Sequence, residues 1–394
     1  MTLRWLPPVA APVTLTDIGR GIAGLVRPQR ALAATVAELR ATLGVEHAWL
    51  VSSGRAALTL ILQALASRSD RTRVVIPAYT CYSVPAAIVR AGLDVVPCDI
   101  DATTLDFAFQ DLEARLKEGP VLCVVATHLF GVPADVERTR RLCESHCVVV
   151  VEDAAQAFGF KCSERWFGTL GDVSFFSFGR GKTLSTGGGG AIVCDRPDIA
   201  DAIERKYSQL RPQSALKGLR LLAEVAVTSL LLHPSVYGLP ARLPCLGLGE
   251  TTYSTAFPIG RLGGGQAGLL RRWPDRIARM NKARARAVSA LVPLVSCPRV
   301  AVQVCLRLPV VCRSREERDG LCRKGVGAEL GISPMYPGAV SQIPELRDSL
   351  GRTRYPVAES VAERLLTLPV HPLVSDADLQ SMARLLSRPD VLRY

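Results

Sequence analysis

The chain has 394 residues, 48% of them hydrophobic, enough for a large buried core and about two domains. Its formal net charge of +12 favours acidic partners, yet no basic block interleaved with aromatics occurs, so nucleic acid is not an expected partner. Its 12 cysteines stand singly in mostly apolar segments with no Cys-x-x-Cys pair, a pattern of reduced thiols that argues against a metal site or a disulfide framework.

The first residues, Met1-Thr2-Leu3-Arg4-Trp5-Leu6-Pro7-Pro8, lack the continuous apolar run of an export signal, and a cytoplasmic location is expected. Next comes Leu50-Val51-Ser52-Ser53-Gly54-Arg55, followed by the helical apolar pattern Leu60, Ile61, Leu62, Ala64, Leu65. A Ser-Ser-Gly turn opening a helix offers backbone N–H groups and the positive end of the helix dipole to a phosphate. Strands are predicted at Val74–Ile76, Leu93–Val96, Val121–Val125, Val148–Val151 and Ala191–Cys194, with helices at Val84–Ala91 and Val136–Cys143 between them. That alternation predicts βαβ units and a mostly parallel sheet.

The run Cys147–Val151 ends in Glu152-Asp153-Ala154-Ala155-Gln156. A buried parallel strand delivers a carboxylate at its C-terminal end, where ligands of open α/β sheets sit, so Asp153 is placed to meet a ligand's ring nitrogen. Read alone, such an acidic pair is also a helix cap or turn former. Further on, Gly171–Gly181 leads into Lys182 and then Thr183–Gly190, with small residues on both sides of the lysine. A neutral lysine held close to an aldehyde cofactor forms a Schiff base, and small neighbours permit that approach. The segment is not a P-loop, because Phe176 stands where that motif requires glycine.

Leu219–Leu232 is apolar on nearly every helical face, which calls for burial in a core or dimer interface, with docking on a membrane surface as the second reading. It is too short, and too interrupted by Arg220 and Glu224, for a membrane span. Pro234, Pro240 and Pro244 then suggest a linker. The expected organisation is a large domain over residues 1–250, carrying this insert at about 216–249, and a small domain over 251–394.

Taken in order, Ser53-Gly54-Arg55, Pro77-Ala78-Tyr79-Thr80, His128-Leu129-Phe130-Gly131, Glu152–Ala157, Ser177, Lys182, Tyr355–Glu359 and Leu366–Pro372 resemble the DegT/DnrJ/StrS family of pyridoxal-phosphate-dependent sugar aminotransferases. The resemblance implies a fold type I α/β architecture, with a mostly parallel central sheet flanked by helices and a smaller C-terminal α+β domain. It implies that Lys182 forms the Schiff-base link to pyridoxal 5'-phosphate, that Asp153 pairs with the pyridinium nitrogen, and that Gln156 lies against the ring face or hydroxyl. Gly54, Arg55 and Ser177 are implied to hold the phosphate. The family's ring-stacking position is Cys81 here and the aromatic is its neighbour Tyr82. The family's Gly-Tyr-Asn-x-Arg segment is replaced by Phe257-Pro258-Ile259-Gly260-Arg261, in which Arg261 keeps the spacing to Gln266-Ala267. His128 resembles a histidine near the family's active site; a structural histidine after a strand is the alternative.

The implied activity moves an amino group from L-glutamate to a keto sugar carried on a nucleotide, in a homodimer with shared active sites. Two other readings stay open. Cys81 and the altered Phe257–Arg261 segment would suit a non-catalytic scaffold or regulator, and the apolar insert would suit a membrane-docked enzyme acting on a lipid-linked sugar.

Overall fold

The computed structural model describes residues 4–242, 251–295 and 303–387. Its strands are β1 (His47–Val51), β2 (Arg73–Pro77), β3 (Asp94–Cys98), β4 (Val121–Thr127), β5 (Val149–Asp153), β6 (Lys161–Cys162), β7 (Arg165–Trp166), β8 (Val173–Ser177), β9 (Gly190–Cys194), β10 (Arg307–Val311), β11 (Ser333–Pro334) and β12 (Leu365–Pro369). Seven of them form the central sheet, in the order β1-β9-β8-β5-β4-β2-β3. Within it β9 runs against its neighbours β1 and β8, and the remaining pairs are parallel. The α/β class and mostly parallel sheet expected from the sequence are therefore present.

Strands buried on both faces read as continuous apolar runs, and their alternate residues feed two cores. Val74, Ile76, Cys123, Val125 and Val151 pack beneath the helices Gly54–Ala66, Ser83–Arg90 and Pro197–Ser208. Val75, Val124, Ala126 and Val150 point the other way, towards Pro28–Leu43, Phe109–Lys117, Val136–Glu144 and the first half of Trp273–Leu291. The same alternation sends the adjacent carboxylates Glu152 and Asp153 to opposite faces of β5.

A second sheet, β10-β12-β11, is antiparallel and carries its own core with Ala287, Val288, Leu291 and the N-terminal Leu6. Leu262, Ala267, Leu270, Trp273, Ile277 and Met280 pack with the large sheet instead. The Trp273–Leu291 helix lies across both cores.

The apolar insert forms the helices Ala215–Leu231 and Pro234–Ala241, while its residues 243–249 lie outside the described residues, as do residues 1–3 of the N-terminal segment. Gly218, Leu222 and Val225 are buried against the Leu15–Val26 helix and Leu269. Leu216 and Leu230, by contrast, are 78% and 72% exposed, so the insert is only half absorbed by this chain's own core. Among the described residues no helix is long and apolar enough to cross a membrane.

Candidate active site

The C-terminal ends of β1, β2, β4, β5 and β8 and the start of β9 meet at one edge of the sheet. Asp153 closes β5 there, 5% exposed, with Oδ1 accepting from the Ala155 amide at 2.9 Å. Burial raises its pKa above the ordinary value, while that amide and the positive charge of Lys182 oppose the rise.

Lys182 is half-buried, between exposed Gly181 and the fully buried Thr183 and Leu184. The loop is pinned from below, where the buried Arg284 guanidinium donates to the Thr183 carbonyl at 2.8 Å. On its far side Gln266 Nε2 donates to the Gly188 carbonyl at 2.8 Å. A lysine anchored through its neighbours keeps its own amine free to act.

Ser53 caps the Gly54–Ala66 helix, its Oγ accepting from the Ala56 amide. The first amides of a helix have no intrahelical acceptor. Gly54 opens this turn directly against Ser177: a Cβ at residue 54 would lie 2.8 Å from Ser177 Cβ and 3.1 Å from its Oγ. The Arg55 side chain turns aside, its guanidinium 4.7 Å from the Phe257 ring and its Nη1 donating to the Ser254 carbonyl at 3.4 Å.

Gln156 is held at both ends, with Oε1 accepting from the Phe130 amide at 3.1 Å and Nε2 donating to the Tyr336 hydroxyl at 3.0 Å. Tyr336 is buried against Tyr79, Tyr82 and Phe130, with ring centroids 5.7, 6.4 and 6.2 Å away. Tyr82 donates its hydroxyl to the Gly338 carbonyl at 3.3 Å, and Cys81 is half-buried beside it. Sequence reasoning missed Tyr336, since nothing in the chain links positions 156 and 336 before folding.

His128, for which a place near the active site and a structural role were both open, is built into the interior. It is fully buried on the opposite face of the sheet from Asp153, with Nε2 2.8 Å from Glu152 Oε1 and Nδ1 accepting from the Ala134 amide at 3.0 Å. Both ring nitrogens are thus committed. Glu152 also accepts from the amides of Gly168, Leu170 and Gly171 and from Ser174 Oγ. Burial opposes its charge, but His128 and these amides outweigh it and hold the carboxyl below the ordinary range. Arg261 bridges the end of β1 at Val51 through its backbone, while its side chain turns aside, with Nη2 donating to the Ser208 carbonyl at 2.9 Å and its guanidinium 4.7 Å from the Tyr207 ring. Among the described residues no group of His, Cys, Asp and Glu could hold a metal ion.

Comparison with known proteins gives the chain its relatives. The profile of the DegT/DnrJ/EryC1/StrS aminotransferase family matches residues 31–218 and 274–387. A GDP-perosamine synthase of Vibrio cholerae is 33% identical over 178 residues, which are 45% of this chain and 47% of that protein, so this match spans about half of the relative's length. A UDP-N-acetyl-3-dehydro-alpha-D-glucosamine 3-aminotransferase of Acidithiobacillus ferrooxidans is 27% identical over 368 residues, 91% of this chain and 88% of its own. The crystal structure of the sugar aminotransferase CalS13 from Micromonospora echinospora superposes with a TM-score of 0.76 at 20% identity, covering 96% of this chain and 98% of that one, a likeness of fold. With a lysine loop, a strand-end aspartate and a glycine-opened helix meeting at one edge of a fold type I sheet, and with the family profile covering most of its length, the chain belongs to the DegT/DnrJ/EryC1/StrS aminotransferase family.

Proposed function

We propose that this protein is a pyridoxal-phosphate-dependent aminotransferase that moves an amino group from L-glutamate to a keto sugar carried on a nucleotide, acting in the cytoplasm as a homodimer. The observation that carries the reading is the convergence of Lys182, Asp153 and the Gly54–Ser177 cradle at one sheet edge. The residues fit the cofactor on independent grounds. Only glycine leaves room at position 54, and the buried Thr80 Oγ1 has no hydrogen-bond partner among the described residues. Buried polar groups without partners are rare in folded proteins and mark places where a ligand completes them.

When bound, pyridoxal phosphate supplies an electron sink for the carbon that bears the transferred amine. Lys182 Nζ would hold it, Asp153 would face its ring nitrogen, Gln156 its ring hydroxyl or face, and Gly54, Arg55 and Ser177 its phosphate. Lys182 Nζ would be the base that takes up the proton lost from the donor carbon and the acid that later delivers a proton to the acceptor carbon. Asp153 would be the counter-charge that favours a protonated ring nitrogen. The names of the Vibrio and Acidithiobacillus relatives, which refer to GDP- and UDP-linked sugars, support a nucleotide-sugar acceptor.

The test is to supply purified protein with pyridoxal phosphate, L-glutamate and a panel of nucleotide keto sugars. The reading requires 2-oxoglutarate release that depends on one of the sugars, together with the mass change of amination on that sugar. Cofactor binding without transfer to any acceptor, sugar or otherwise, would favour the scaffold reading instead.

A further inference from the structure

Arg307 opens β10 and is 8% exposed. A buried guanidinium normally pairs with a carboxylate. Arg276, also buried, does so, with its Nε 3.3 Å from Asp17. Arg307 has only neutral partners among the described residues. Its Nε donates to the Pro8 carbonyl at 3.2 Å, one terminal nitrogen donates to Ser333 Oγ at 3.1 Å, and the other meets the Met335 sulfur. A thioether is a weak acceptor. Burial draws the Arg307 pKa down to about 10, as expected for a cation that lacks a counter-charge.

Arg307 also borders the active-site cluster. The neighbouring Leu306 amide donates to the Phe130 carbonyl at 2.8 Å, the Phe130 amide donates to Gln156, and Gln156 bonds to Tyr336, the residue after Met335. Met335 is half-buried. One unbranched side chain, Met335, therefore occupies a terminal nitrogen of the uncompensated cation, and the residue after it, Tyr336, is the partner of Gln156.

We infer that Arg307 is the carboxylate anchor of this site: with Met335 turned aside, its guanidinium takes a carboxylate of the amino donor beside Tyr336. The inference rests on the aminotransferase reading and adds the residue that recognises the donor. An amino-acid donor always carries such a group, a planar pair of oxygens that matches the guanidinium fork.

The experiment uses the full chain loaded with pyridoxal phosphate, and glutarate, a dicarboxylate without an amine, as probe. Glutarate is expected to raise the melting temperature of the loaded wild type and to compete with L-glutamate in bleaching the cofactor's visible band. Arg307→Gln is expected to keep the band yet need at least about tenfold more L-glutamate for half-maximal bleaching, with Arg307→Lys recovering part of the loss. Met335→Ala, which uncovers the guanidinium, is expected to bind glutarate at least as tightly as the wild type. Equal glutarate protection in Arg307→Gln and wild type would overturn the inference. So would loss of protection by UDP alone in that variant, which would make the anion a diphosphate. If Arg307→Gln fails to fold, the wild type decides: a cofactor band that L-glutamate bleaches, with glutarate neither competing nor raising the melting temperature, ends the inference and leaves the aminotransferase reading standing. Absence of any band ends both.

Discussion

At the scale of single residues, chemistry and architecture divide between two neighbours. Asp153 serves the site and Glu152 serves the fold, because adjacent residues of a strand face opposite ways. Glu152→Ala strips the acceptor from three backbone amides and from the His128 ring, and each unsatisfied buried donor costs about 1–3 kcal/mol. The expected result is a loss of at least about 3 kcal/mol in denaturant unfolding, larger than for His128→Gln. His371 makes a second prediction. It is fully buried, with Nε2 2.8 Å from the Pro7 carbonyl, and burial lowers its pKa from 6.5 to about 4. Between those values the unfolded chain binds more protons than the folded one. Stability is therefore full above pH 6.5 and falls by up to about 3 kcal/mol as the pH drops to 4, as unfolding measured across that range will show. His371→Gln is expected to flatten this dependence.

At the scale of elements, the site depends on how closely the Gly54–Ala66 helix approaches β8. Gly54→Ala places a methyl 2.8 Å from Ser177 Cβ, where neither backbone has room to move. Cofactor affinity is expected to fall by about tenfold or more in an equilibrium titration, while Gly44→Ala, with open space around it, leaves affinity unchanged although its left-handed φ of 71° lowers stability. The elements that build this approach were largely legible in the sequence. Val74–Ile76, Val121–Val125 and Val148–Val151 are apolar runs that became β2, β4 and β5 with boundaries moved by a residue or two. β1 was not read as a strand, since His47-Ala48-Trp49 precedes its apolar half with no run to mark it. Asp153, Lys182 and Gly54 were legible as candidates because each carries a local signal, a strand end, a small-residue loop or a helix start, while Ser177 entered only through the family resemblance. Tyr336, Arg307 and the burial of His128 were not, because each is defined by contacts between segments far apart in the chain.

At the scale of the whole molecule, two features involve more than one element of the chain. The first is the apolar face formed by Leu216, Leu219, Val227 and Leu230 of the Ala215–Leu231 helix, with Ile22 and Val26 of the Leu15–Val26 helix beside it. On the homodimer reading, we propose that a second copy covers this face. Leu219→Glu with Leu230→Glu is then expected to shift sedimentation from dimer to monomer, whereas an unchanged dimer whose binding to anionic lipid vesicles is lost would favour membrane docking. The second is the site itself, whose reactivity depends on both sheets, since Tyr336 follows β11 and Asp153 ends β5. The measurement that tests the central claim most directly is the visible absorption spectrum of purified protein with pyridoxal phosphate, before and after L-glutamate. The account predicts a band that glutamate bleaches and that Lys182→Ala abolishes, with transfer lowered by about 10²–10⁴-fold or more. A spectrum identical to free pyridoxal phosphate, or a band unaffected by Lys182→Ala, would contradict it.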